Sequence, residues 1–111
     1  MLIGELSRST GVTTRLLRYY EEQELLVPQR DSNGYRRYDD QAPERVRRIR
    51  TLLDTGLPTR SIRELLPCAT DAGIQSCDRT RSVLDANLTR LDRQISELTR
   101  RRAALIELPL A

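Results

Sequence analysis

Thr13-Thr14-Arg15-Leu16-Leu17-Arg18-Tyr19-Tyr20-Glu21-Glu22 reads as a helix with two unlike sides, and the rest of the fold can be built outward from it. Arg15, Arg18, Tyr19 and Glu22 fall at i, i+3, i+4 and i+7, which is one side of an α-helix. Leu17 and Tyr20 lie off that side and are placed to pack inward, with Leu16 near the border. Thr13 or Thr14 is expected to cap the helix by accepting a hydrogen bond from an exposed backbone N–H. Just upstream, Ile3 to Thr10 fits a short amphipathic helix with Ile3 and Leu6 on one side and Gly11 at its end. Two helices joined through Gly11-Val12 make a helix-turn-helix that turns a cationic, aromatic face outward.

Downstream, Pro28 bars further helix, and Leu26 to Tyr38 reads as a hairpin. Asn33-Gly34 suits the positive φ angles of a two-residue turn, and Tyr35 to Tyr38 supplies the return strand. Arg36 and Arg37 alternate faces there, so at least one is expected to reach outward while the other pairs with Asp39 or Glu44. Asp39 or Asp40 should cap a third helix with Val46, Ile49, Leu52 and Leu53 as its apolar stripe. Pro43 fits its first turn, where few N–H groups have helical partners. Gly56 stops that helix, and Pro58-Thr59 begins a fourth ending around Leu66-Pro67. The arginine run Arg45, Arg47, Arg48 and Arg50 winds around the third helix and reads as mostly solvated.

From Pro67 to Asp78 the pattern dissolves into a loop carrying Cys68, Gly73 and Cys77. Beyond it, Leu84, Leu88, Leu91, Ile95, Leu98 and Leu105 hold a heptad register broken only at Arg102. A helix over Arg79 to Leu108 would run about 30 residues, hence roughly 45 Å. So narrow a stripe on so long a helix predicts pairing with a second copy. The expected organisation is therefore 1–66 as a DNA-binding domain, 67–78 as a cysteine-containing loop, 79–108 as a dimerisation helix and 109–111 as a tail.

Composition excludes several classes. The 111 residues carry a net charge of +3, all 19 basic residues are Arg, and there is no His, Phe or Trp. A core must come from Leu, Ile, Val and a few Tyr, which is modest for a lone chain of this length. No apolar run reaches membrane-spanning length and the N-terminus lacks a signal-peptide pattern, so no membrane partner and a cytoplasmic location are expected. Without His, a phosphate-binding glycine loop or a Cys–His or Ser–His pair, no enzyme activity is expected, and no cofactor.

Ile3-Gly4-Glu5-Leu6, Thr10-Gly11-Val12, Leu17-Arg18-Tyr19-Tyr20-Glu21, Gly34-Tyr35-Arg36-Arg37-Tyr38, Gly56-Leu57 and Ile62-Arg63-Glu64-Leu65-Leu66, in this order and spacing, resemble the MerR family of bacterial transcription regulators. The resemblance implies a mainly α protein: a winged helix-turn-helix DNA-binding domain followed by a long helix that forms an antiparallel coiled coil with its copy. It implies a homodimer on a palindromic promoter element with a long spacer. Distortion of that DNA would act on RNA polymerase indirectly, through the shared promoter. Candidate contacts to double-stranded DNA are Thr13, Thr14, Arg15, Arg18, Tyr19, Tyr20, Arg36, Arg37, Tyr38 and Arg60.

Two departures stand out. Glu24 occupies a helix-ending position where the family usually has Gly, so the turn is either remodelled or carries a cost of about 1 kcal/mol. Pro43 replaces a usual apolar residue. Elements that some members carry after the dimer helix, a drug-binding domain or a metal loop, are expected to be missing beyond Ala111. Cys77 resembles the cysteine that opens the dimer helix in metal-responsive relatives. For Cys68 and Cys77 three roles stay open: inert thiols, a thiol or redox switch, or a metal site shared across a dimer. An architectural, excisionase-like DNA-binding protein and a coiled-coil protein–protein adaptor are the rival readings of the whole chain.

Overall fold

The computed structural model describes residues 1–111 and divides into two compact units, Met1–Gln75 and Ser76–Ala111. The first unit opens with α1 (Ile3–Thr10) and α2 (Thr14–Glu22). Gly11, at φ 73°, ends α1 in the left-handed conformation and donates its N–H to Ser7 O, which lets the chain reverse at once into α2. Thr13 is the cap of α2, its hydroxyl accepting from Leu16 N at 3.2 Å; Thr14 is the first helical residue.

Next comes the wing, β1 (Gln29–Arg30) against β2 (Arg36–Arg37), antiparallel with Arg30 opposite Arg36. The loop between them is wider than the two-residue turn expected from Asn33-Gly34. Only Gly34 takes a positive φ, at 80°, and Asn33 does not. Asp31 sets this shape: its carboxylate accepts from Asn33 N at 2.9 Å and Tyr35 N at 3.0 Å, a side-chain turn that a two-residue loop has no room for.

Then follow α3 (Ala42–Asp54) and α4 (Thr59–Leu65), and a single 3-10 turn over Leu66–Cys68. Pro43 lies in the first turn of α3, as its missing N–H requires. Neither Asp39 nor Asp40 is the cap; Gln41 is, without a side-chain bond, while Asp39 accepts from Gln41 N just outside the helix. Residues 69–75, expected as plain loop, contain a second hairpin of β3 (Ala69–Thr70) and β4 (Gly73–Ile74). Arg48 on α3 reaches Asp71 in that hairpin at 3.0 Å.

The core of this unit is Leu6, Val12, Leu17, Tyr20, Leu25, Leu26, Ala42, Val46, Ile49, Leu52, Ile62, Leu65 and Leu66, all buried. Each large aliphatic side chain so removed from water contributes roughly 1.5–3 kcal/mol. Polar bonds fix the junction after α2. Arg45 Nε donates to Leu25 O at 3.1 Å and Arg63 Nε to Gln23 O at 2.9 Å, so α3 and α4 both hold the same connector. The arginine run on α3 is mostly solvated, as its sequence implies: Arg45, Arg47 and Arg50 are exposed and Arg48 is half-buried, although each also donates to an acceptor in the fold.

The second unit is built on α5 (Asp78–Ile106). Its cap is Cys77, whose Sγ accepts from Thr80 N while Thr80 Oγ1 accepts from Cys77 N, each residue satisfying the other's N–H. No helix of the chain is long and apolar enough to cross a membrane.

Candidate nucleic-acid interface

Helix α2 presents the face read from its spacing. Arg15, Arg18, Tyr19 and Glu22 are exposed, and Leu17 and Tyr20 are buried. Neither Arg15 nor Arg18 is held in an ion pair, so both guanidinium groups remain available to an anion. Tyr20 falls out of the set of contact candidates: its ring is core, and burial pushes its phenol above the ordinary range, with Arg50 opposing and Asp54 reinforcing the shift. Arg60, in the first turn of α4, is exposed and has no carboxylate partner.

The wing differs from expectation in its partners. Arg36 Nε pairs with Glu21 of α2 at 3.2 Å, and Arg37 Nε with Asp31 at 3.0 Å, so neither is engaged by Asp39 or Glu44. Tyr38 is not an outward contact but buried, donating its hydroxyl to Glu21. Residues two apart on a strand share a face, so Arg36 and Tyr38 both turn toward α2 and meet the same carboxylate there. Sequence spacing contained that alternation, yet Glu21 was not identified, because its partners lie 15 and 17 positions away.

At the end of α2, Glu24 keeps the left-handed conformation at φ 61°. Glu24 N donates to Glu21 O and Leu25 N to Tyr20 O, both at 2.9 Å, which is the bonding of a Schellman end normally completed by glycine.

Cys68 and Cys77 are both free thiols. Cys77 is exposed, and the Thr80 amide and then its hydroxyl draw the thiol toward thiolate, below the ordinary thiol range, against a smaller opposing effect of Asp78. No three His, Cys, Asp or Glu side chains converge to hold a metal ion.

On α5, Leu88, Ile95, Leu98 and Leu105 are 58–69% exposed, Leu84 is exposed, and Leu91 is half-buried. Four apolar residues at heptad spacing on α5 thus stand largely in water.

Two helix-turn-helix pairs, a wing anchored on the second helix and unpaired arginines on that helix define a winged helix-turn-helix DNA-binding regulator. Residues 1–68 match the family described as MerR HTH family regulatory protein, and residues 44–108 match the family described as MerR, DNA binding. The chain belongs to the MerR family. It is 35% identical over 105 residues to the HTH-type transcriptional regulator HmrR of Rhizobium leguminosarum bv. viciae, covering 95% of this chain and 81% of that one. Among solved structures, PbrR691 of Ralstonia metallidurans CH34 in complex with lead(II) is similar at a TM-score of 0.80 and 27% identity, over 96% of this chain and 83% of that one. HiNmlR, a MerR family regulator lacking the sensor domain and bound to promoter DNA, is similar at a TM-score of 0.59 and 25% identity, over 94% and 82%.

Proposed function

We propose that this chain acts as a homodimeric, sequence-specific transcription regulator that binds a palindromic promoter element and works by distorting it. RNA polymerase would be reached through the shared promoter, with no contact required. The observation that carries this reading is the outward face of α2, where Arg15, Arg18 and Tyr19 stand exposed and unpaired. Arg15 and Arg18, with Arg36, Arg37 and Arg60, are the proposed phosphate and groove contacts; Thr13, Thr14 and Tyr19 support them from the start and face of α2. Similarity to a regulator solved on promoter DNA supports the same assignment.

The effector is inferred to be a thiophilic metal ion, not an oxidant. Support comes from similarity to the lead(II)-bound regulator and from the exposed, thiolate-leaning Cys77. A metal held there would need ligands that a single chain does not bring together, since no three of its Cys, Asp or Glu side chains converge.

Fluorescence anisotropy on duplex DNA across a salt series tests the DNA-binding reading. Each phosphate contact contributes about 0.9 to the slope of log K against log salt, so Arg18→Ala should lower the slope by roughly 1.8 per symmetric dimer. A coiled-coil adaptor would show no steep salt dependence in the parent protein, and that result would end the proposal.

A further inference from the structure

Glu21 is a carboxylate on the helix that carries the cationic face, a place where a negative charge works against phosphate. It is also mostly withdrawn from water, its side chain 11% exposed. Its two oxygens are divided between two wing residues: Oε1 accepts from the Tyr38 hydroxyl and Oε2 pairs with Arg36 Nε. The strands of the wing are only two residues each, too short to fix their own orientation through backbone pairing. Arg36 is held at Nε, near the root of the guanidinium, and its side chain remains 42% exposed. Arg36 also lines a groove between α1 and the wing together with Arg8, Arg30 and Tyr35, where Glu5 is the single acid. Glu5 in turn lies near Leu2 N at the start of α1.

We propose that Glu21 is a positioning residue for DNA binding: it fixes the wing on α2 and, by gripping Arg36 at Nε, aims the outer guanidinium nitrogens into the Arg8–Arg30 groove to receive a backbone phosphate. This rests on the DNA-binding reading above. The geometry needs a carboxylate, because one oxygen must accept from a neutral hydroxyl and the other from a cation. An amide offers one acceptor oxygen and no charge: either Tyr38 keeps that oxygen and an NH2 faces Arg36 Nε, or Arg36 keeps a neutral acceptor in place of its ion pair, and both loosen the grip on Arg36.

The sign of one substitution separates this from a bystander role. If Glu21 were only a nearby negative charge, Glu21→Gln would tighten DNA binding. A positioning Glu21 requires the opposite. On a fluorescein-labelled, mixed-sequence duplex, where phosphate contacts dominate, Glu21→Gln should weaken binding about 3- to 10-fold and flatten the salt slope by roughly 1.8 per dimer. Arg36→Ala should do the same, and the double variant should be no weaker than Arg36→Ala alone. Tyr38→Phe, which loosens the wing without touching Arg36, should lower the melting temperature and keep the parental slope. Unchanged or tighter binding by Glu21→Gln overturns the proposal, as does a Tyr38→Phe slope flattened equally. Failure of the parent protein to bind the duplex would instead sink the DNA-binding reading itself.

Discussion

Glu24 is held in a conformation that L-residues avoid, and nothing in its side chain compensates. Its φ of 61° completes the end of α2, its side chain is exposed, and it forms no ion pair. The left-handed region costs an L-residue about 1–2 kcal/mol, which glycine relieves, while its freer unfolded chain costs the variant about 0.4–1 kcal/mol. Glu24→Gly should therefore stabilise the first unit by about 0.5 kcal/mol, a rise in melting temperature of roughly 2–4 °C by circular dichroism. A lower melting temperature would mean that the Glu24 side chain contributes more than its backbone strain costs. This residue stood out beforehand because the family resemblance puts glycine at that helix end. Tyr38 was not: a tyrosine beside two arginines looks like a nucleic-acid contact, and only the three-dimensional position of Glu21 turns it inward.

The wing shows the same division among elements. Its existence followed from turn residues and basic strands, but its loop was misjudged because Asp31, ahead of Asn33-Gly34, organises the turn with its own side chain. Arg37, and then the amides of Tyr35 and Asn33, hold the Asp31 carboxyl below the usual carboxylate range. A carboxyl lowered in the folded state contributes fully above its unfolded value of about 4, and that contribution is lost as pH falls through the lower folded value. The Asn33 and Tyr35 amide signals in NMR should thus stay constant between about pH 5 and 8 and move only in stronger acid. Asp31→Ala should abolish that acid step and speed amide exchange in the loop. A step near pH 6 in the parent would show that some other group controls the wing. The hairpin of β3 and β4 escaped the sequence altogether, since two-residue strands are too short to display an alternating pattern.

At the scale of the molecule, the two units pose opposite problems of burial. The first gathers a buried core of its own, whereas α5 leaves Leu88, Ile95, Leu98 and Leu105 largely in water. That seam could be read from the sequence because heptad spacing is a local property of one helix, needing no knowledge of the partner. Ile95 offers the cleanest test, being 61% exposed in the isolated chain. If α5 stood alone, Ile95→Arg would alter stability by no more than about 0.5 kcal/mol, the range for exposed positions. If a second copy covers the seam, two arginines enter an apolar interface without partners, at a cost of several kcal/mol. Analytical ultracentrifugation should show the parent as dimers and Ile95→Arg as monomers, with the helical content of each chain little changed. Affinity for an operator should fall with it, because two half-sites are read together only when the dimer holds them at a fixed separation. A variant that stays dimeric and binds normally would place the subunit contact elsewhere and leave the α5 seam to another partner.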